Sequence, residues 1–189
     1  MASYEQNGIQ GTVSQNASDG TSSGWQFFMD VSYEQNSANN QTTFTVHQYL
    51  KSRYYRYNGG YDYENTIGSE STGVITATTP GTVGTSGAGP VTVDIVPKYT
   101  ATIDHRSDGT ISSDNKIKLS SYFYANYSSA PGTCKASVTL TIPKINRGLV
   151  YVNDGEGNWS GHAVFIFDGT DWVQHAPYVF ENEEWNEIG

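Results

Sequence analysis

Apolar and polar residues alternate along several short runs of this chain, and this two-residue period limits its fold more than any other feature. In the clearest run the odd-numbered positions hold Trp25, Phe27, Met29, Val31 and Tyr33. Side chains of a β-strand point alternately to opposite faces of the sheet, so the pattern predicts strands with one buried face. Comparable runs contain Phe44, Val46 and Leu50; Val91, Val93 and Ile95; Tyr99, Ala101 and Ile103; Ile117, Leu119 and Phe123; and Cys134, Ala136, Val138, Leu140 and Ile142.

The composition agrees with strands and disfavours helices. No long stretch has an apolar period near 3.6, and leucine occurs only four times in 189 residues, whereas Val, Ile, Thr, Tyr and Gly are common. Tight-turn dipeptides such as Asp108-Gly109 separate the runs. We therefore predict an all-β fold, with an antiparallel β-sandwich over residues 1–146. Residues 78–90, rich in Gly, Thr and Pro, are expected to form an exposed, mobile loop with almost nothing to bury.

The last 39 residues contain three copies of a thirteen-residue unit, each with one tryptophan: Trp159, Trp172 and Trp185. Each copy has an apolar stretch, an acidic or glycine-containing turn and then the tryptophan. Such a short period fits one strand–turn–strand step whose neighbours cover each other's apolar faces. We predict a small three-step β-hairpin module over residues 147–189, which provides a surface for assembly or attachment.

The charge of the chain limits its partners. A net charge of −9 and a pI near 4.7 argue against nucleic acid, which requires a basic stripe, and against an anionic membrane surface. No apolar run approaches the length of a membrane span. The first residues lack the basic start and apolar run of a signal peptide, so we expect a product that is made and folded in a cytoplasm.

Four segments resemble phrases of the minor structural and tail proteins of tailed, siphovirus-type phages of Gram-positive bacteria. They are residues 35–43, between two predicted strands; residues 103–110, with an H-x-x-D-G-T hairpin; residues 138–143, a strand ending in Ile-Pro; and residues 172–185, which are similar to W-x-x-A-x-P-Y-V-x-x-x-x-x-W tails. The resemblance implies a virion component, tail-associated or decorating, which is assembled in the host cytoplasm beside other virion proteins. A homo-oligomer is also expected, as a trimer by analogy with phage fibres, because a 39-residue module with little apolar mass is marginal alone.

Tyrosines interleaved with Asn, Asp and Arg over residues 53–64 form the first candidate binding site. Flat apolar rings beside hydrogen-bonding groups suit a sugar, so the candidate residues are Tyr54, Tyr55, Tyr57, Tyr61 and Tyr63. Alternation puts Arg53, Tyr55 and Tyr57 on one face and Tyr54 and Arg56 on the other. The competing interpretation, which we favour, is that one set packs in the core and the other against a neighbouring subunit.

The three tryptophans form the second candidate site. A row of Trp159, Trp172 and Trp185 could stack on sugar rings of a bacterial cell-wall glycan. The simpler interpretation is one stacked tryptophan for each step of a small β core.

Catalytic and thiol chemistry have weaker support. Asp104, His105 and Ser107 are the residue types of a hydrolase triad, but as near neighbours in a predicted hairpin they point alternately outward and do not converge. A turn stabilised by Asp108 and Gly109 explains them better. Cys134 shares the parity of apolar neighbours and is predicted to be a small buried hydrophobe. We therefore predict no catalytic residues.

Metal sites have two weak candidates. His162 and His175 occupy the same repeat position, but no third ligand accompanies them. Residues 153–158 are rich in oxygen ligands for Ca²⁺ but depart from the EF-hand order, and an acidic hairpin turn is the favoured interpretation. We therefore predict neither a metal nor a cofactor.

Together these features predict a phage virion protein that is displayed on the particle and attaches to a host-surface glycan. The alternative is a purely architectural decoration, neck or tail accessory protein that binds only virion proteins. A surface-polymer depolymerase is the least favoured hypothesis.

Overall fold

The computed structural model describes residues 2–17, 24–87, 89–145, 149–153, 155–157, 159–167, 169–175, 178–181 and 184–187. These residues contain eighteen strands and no helix, and every pairing between the strands is antiparallel. The predicted all-β class is therefore confirmed. In chain order the strands are β1 (Ser3–Gln10), β2 (Thr12–Val13), β3 (Trp25–Asn36), β4 (Gln41–Ser52), β5 (Arg56–Tyr57), β6 (Gly60–Ile67), β7 (Glu70–Ser71), β8 (Ile75–Thr78), β9 (Val83–Gly84), β10 (Val91–Val93), β11 (Tyr99–Asp104), β12 (Lys116–Ala125), β13 (Gly132–Thr141), β14 (Leu149–Asn153), β15 (Trp159–Phe167), β16 (Trp172–His175), β17 (Tyr178–Glu181) and β18 (Glu184–Glu187).

Two larger sheets organise the chain up to β13. The first has the order β1-β3-β4-β10, and β11 pairs with the other half of the same β4 edge. The second has the order β2-β13-β12-β6-β7, and β8 also pairs with β6. The long strand β12 is therefore central in the second sheet, and β13 lies beside it, with the two-residue strand β2 on part of its other edge.

Buried side chains from both sheets form one hydrophobic cluster. Along β3 the odd-numbered residues are buried from Trp25 to Tyr33, and β4 buries Phe44, Val46 and Leu50. In the second sheet β12 contributes Leu119 and Phe123. The predicted faces of these strands are confirmed, and burial of each large apolar side chain contributes about 1.5–3 kcal/mol.

Residues 78–90 are less open than the sequence predicts. Within this range, β9 pairs with β5, and Thr79 is buried. A Cβ atom at Gly84 would lie 2.9 Å from the Trp25 ring, so the backbone here packs directly on the core. The expectation of a loop with almost nothing to bury is wrong for Thr79, Val83 and Gly84, whereas Pro80 and Thr82 are exposed as expected. At Gly84 the absent side chain lets the backbone cover a large aromatic ring.

In the region of the tryptophan repeats the described residues form short antiparallel strands. Strands β14, β15 and β16 make one three-stranded sheet, and β17 pairs with β18. Trp159 begins β15, Trp172 begins β16 and Trp185 lies in β18. The domain boundary near residue 147 stays a prediction.

Candidate functional site

Three of the five candidate tyrosines lie in the core. Tyr57, Tyr61 and Tyr63 are only 3%, 5% and 8% exposed. The Tyr61 ring stacks on Phe123 with 5.2 Å between ring centroids, and its hydroxyl donates to the Ile95 carbonyl oxygen over 2.9 Å. Burial, with smaller contributions from neighbours, raises the pKa of the Tyr57 phenol to about 12. These rings hold the sheets together and present no face to a soluble sugar.

The other two tyrosines follow the predicted alternation. Tyr54 is 50% exposed and lies under the Arg53 guanidinium, whose central carbon is 5.2 Å from the ring centroid. Tyr55 is half-buried against the core, and its backbone N–H donates to the Ser52 hydroxyl over 3.3 Å. The candidate set is therefore divided between the core and the surface, with Tyr54 as its exposed member.

The tryptophan set has one side chain within the described residues, and it is strongly exposed. Trp172 is 69% exposed and is the direct cross-strand partner of Phe167. The two rings lie 5.5 Å apart between centroids and are tilted by 51°. Phe167 and Phe165, which lies two residues earlier on the same face of β15, are 51% and 50% exposed. The side chains of Trp159 and Trp185 lie outside the described residues.

We call Phe165, Phe167 and Trp172 the aromatic strip. Single exposed apolar residues are ordinary, but neighbouring exposed aromatic rings on one sheet face are typical of a binding surface. Flat rings of this kind stack on the apolar faces of sugars, and they also serve as anchors of protein interfaces. Trp172 is among the candidate residues predicted from the sequence, whereas Phe165 and Phe167 are not. The two phenylalanines alternate with other residues before the acidic segment of the second repeat, and this alternation was the sequence signal that could have identified them.

His105 supports a turn and is not arranged as a catalytic base. It is 7% exposed, and both ring nitrogens form hydrogen bonds of 2.7 Å, Nδ1 with the Gly109 carbonyl oxygen and Nε2 with the Thr42 hydroxyl. The Gly109 carbonyl oxygen can only accept, so Nδ1 donates to it, and in the neutral ring Nε2 then accepts from the Thr42 hydroxyl. Asp108 accepts from the hydroxyl and backbone N–H of Thr110, and these hydrogen bonds lower the pKa of its carboxyl group. This geometry supports the turn interpretation of the segment.

Cys134 is fully buried, and burial raises the pKa of its thiol to about 12. This burial confirms the prediction of a buried hydrophobic cysteine. Because the pKa is raised, the reactive thiolate does not form at neutral pH.

The two metal candidates fall mostly on residues without a described side chain. Asp154, Asn158 and the side chains of His162 and His175 lie outside the described residues. Elsewhere in the described part of the chain, no three His, Cys, Asp or Glu side chains gather into a metal site.

Comparison with protein-family models, with curated proteins and with solved structures finds no match to this chain. Among the described residues, no helix is long and apolar enough to cross a membrane. The resemblance to phage structural proteins accordingly stays a prediction.

Proposed function

We propose that this chain is a structural protein of a tailed-phage virion, tail-associated or decorating, which is displayed on the particle and attaches it to a glycan of the host surface. The exposed aromatic strip is the observation that carries the attachment role. The four resembling segments, in family order, support the virion assignment. Assembly inside the host cytoplasm would place the protein beside its virion partners.

The proposed architecture has two parts. Residues 1–146 form a β-sandwich, supported by two antiparallel sheets whose buried side chains belong to one cluster. Residues 147–189 form a tryptophan-hairpin module, supported by the antiparallel pairing of the strands that contain Trp159, Trp172 and Trp185. A homo-oligomer, as a trimer, would supply neighbours for so small a module.

Attachment through the aromatic strip has a simple physical basis. The rings of Phe167 and Trp172 are already adjacent, so little side-chain entropy is lost when a sugar stacks on them. A repetitive wall polymer presented to many copies on one particle would bind with avidity, so modest affinity for each copy is sufficient.

The test is binding of the purified chain to cell walls of candidate Gram-positive hosts. We expect Trp172→Ala to weaken binding by about tenfold or more, as for loss of an aromatic anchor. Tyr54→Ala is the matched control, because it removes an exposed aromatic ring outside the strip and should leave binding unchanged. Loss in the control alone would move the site to the tyrosine segment, and no binding by the unaltered chain would refute attachment.

The second candidate function is a purely architectural role, and the same aromatic strip favours it, because exposed Trp and Phe are also common anchors between proteins. In that case the chain would bind capsid or tail proteins and would not bind host cell walls. Trp172→Ala would then abolish incorporation of the chain into particles. The third hypothesis, a depolymerase, would be recognised by the release of soluble sugars from host walls.

A further inference from the structure

The outer face of the second sheet contains a polar trough of about 410 Å³, whose lining includes no residue of the aromatic strip. Its walls come from β2, β6, β12 and β13, which the sheet order makes neighbours. The trough forms because its central side chains are short. Ser120 of β12 is paired directly with Thr66 of β6 on one side and with Ser137 of β13 on the other.

Longer side chains border this row of hydroxyl groups. One row along, Tyr122 is paired with Glu64 on one side and with Lys135 on the other. Lys118 lies on the opposite side of Ser120, and neighbouring rows on a strand face are about 7 Å apart. The hydroxyl row is therefore enclosed by a carboxylate, a phenol and two ammonium groups.

The lining can form many hydrogen bonds with a hydroxylated ligand. Each Ser or Thr hydroxyl both donates and accepts. Burial, followed by the charges of Asp62 and other neighbours, raises the pKa of the Tyr122 phenol, so this group also stays protonated at neutral pH. The Glu64 carboxylate is already held by the Ser71 hydroxyl, 2.6 Å away, which fixes its position at the end of the trough.

The charge in the trough opposes that of the whole chain. The net charge is −9, yet two of the six lysines, Lys118 and Lys135, are located here. Both are exposed, and neither forms an ion pair with another described residue. Two free ammonium groups beside a row of hydroxyls complement a ligand that has anionic groups spaced among hydroxyl groups.

Other occupants fit less well. The centre of a protein interface is typically apolar and poor in Ser, Lys and Glu, whereas these residues dominate the trough. Nucleic acid carries a dense phosphate charge that a chain with net charge −9 repels. A glycan with sparse charges requires only the local pair of lysines.

We propose that this trough binds an anionic glycan, with sugar hydroxyls on the row of Thr66, Ser120 and Ser137 and with its phosphate or carboxylate groups at Lys118 and Lys135. The site is independent of the aromatic strip and extends the proposed function to a second kind of sugar contact. Phosphate and carboxylate are equivalent for a lysine, which binds either as a point charge.

The test measures binding of the full chain to matched pairs of probes. One pair is phosphomannan against dephosphorylated mannan, and the other is a partly methyl-esterified oligogalacturonate against its full methyl ester. We expect binding to at least one anionic probe and weaker binding to its neutral partner. Preference between the pairs identifies the anionic group, and equal binding of charged and neutral probes, or none at all, would overturn the proposal.

Variants locate the site. Lys118→Ala/Lys135→Ala should weaken binding by about tenfold or more, since it removes two hydrogen bonds between charged groups. The control, Lys98→Ala/Lys144→Ala, changes the net charge equally at two exposed lysines outside the trough and should retain full binding. If both double variants lost binding equally, binding would depend on the overall charge of the chain and not on the trough, which would contradict the proposal.

Two further variants separate binding in the trough from binding at another surface of the chain. Ser120→Tyr fills the trough with a residue of high β-propensity and should abolish binding while both lysines remain. Trp172→Ala should leave binding to these probes unchanged, so failure of the trough and failure of the aromatic strip are distinguishable. Retained binding in a folded Ser120→Tyr protein would show that the ligand lies elsewhere.

Discussion

At the scale of single residues, Gly109 occupies a position in the turn before β12 that a side chain cannot share. Its φ is +80°, and a Cβ atom would collide with the Ile145 carbonyl oxygen. Its N–H donates to the Arg106 carbonyl oxygen over 2.8 Å, and its own carbonyl oxygen accepts from His105 and Ile145. We expect Gly109→Ala to lower the free energy of unfolding by about 2–4 kcal/mol, as measured by urea denaturation.

Gly73 provides the control for that substitution. It also has a positive φ, of +64°, but nothing lies within 4 Å of the position its Cβ would take. Gly73→Ala should therefore lower the free energy of unfolding by about 1 kcal/mol, because only the strain of a positive φ opposes the new side chain. Equal losses at the two glycines would mean that the collision with Ile145 is relieved without cost.

At the scale of strands, a buried polar bridge joins the two sheets. The Gln48 amide of β4 donates to Asn65 Oδ1 of β6 over 3.1 Å, and the Ser121 hydroxyl of β12 donates to the same oxygen over 2.7 Å. All three side chains are buried, and Gln48 Oε1 and Asn65 Nδ2 have no hydrogen-bond partner among the described residues. We therefore expect the bridge to specify how the sheets align more than it stabilises them.

Substitutions in the bridge should show this asymmetry. Asn65→Ala removes the shared acceptor, which leaves the buried Ser121 hydroxyl without this partner and Gln48 Nε2 with only a long, 3.5 Å hydrogen bond to the Glu64 carbonyl oxygen. We therefore expect a loss of roughly 2–4 kcal/mol in thermal or urea unfolding. Gln48→Leu/Asn65→Leu/Ser121→Ala removes every polar group at once and should recover most of that loss. A triple variant less stable than Asn65→Ala would show that the hydrogen bonds themselves contribute the larger share.

The strands also show how far the sequence can be interpreted. Period-two patterning predicts which side of β3 and β12 is buried, because the pattern itself records burial. It contains no information on strand partners, so the placement of both β10 and β11 on one edge of β4 was not predictable. For the same reason, the trough could not be predicted, since Glu64, Tyr122 and Lys135 become neighbours only through register.

The tyrosine segment shows the limit at the level of a site. Alternation separates Tyr54 from Tyr55 and Tyr57 correctly, but it does not say which set faces the core. That choice depends on the second sheet, where Phe123 provides the surface on which Tyr61 stacks. Aromatic content alone therefore indicated a sugar site where the chain mostly builds its interior.

At the scale of the whole molecule, the contacts made just before residue 146 bear on where the predicted domain of residues 1–146 ends. Ile142 and Ile145 follow β13 and are 1% and 4% exposed. The Ile145 N–H donates to the Gly109 carbonyl oxygen over 3.0 Å, which ties this segment to the turn before β12. We therefore expect the two sheets, which share one buried cluster, to fold as one unit together with these two residues.

The burial of Ile142 and Ile145 predicts that two truncated chains differ in thermal stability. The chain of residues 1–146 should unfold cooperatively and bind the same anionic glycan as the full chain, because it retains Lys118, Lys135 and both isoleucines. The chain of residues 1–141 loses Ile142 and Ile145, each of which contributes about 1.5–3 kcal/mol when buried, and should unfold at a much lower temperature. Calorimetry on the two proteins measures the difference. A non-cooperative transition for residues 1–146 would place residues beyond 146 within the same folding unit and move the predicted boundary.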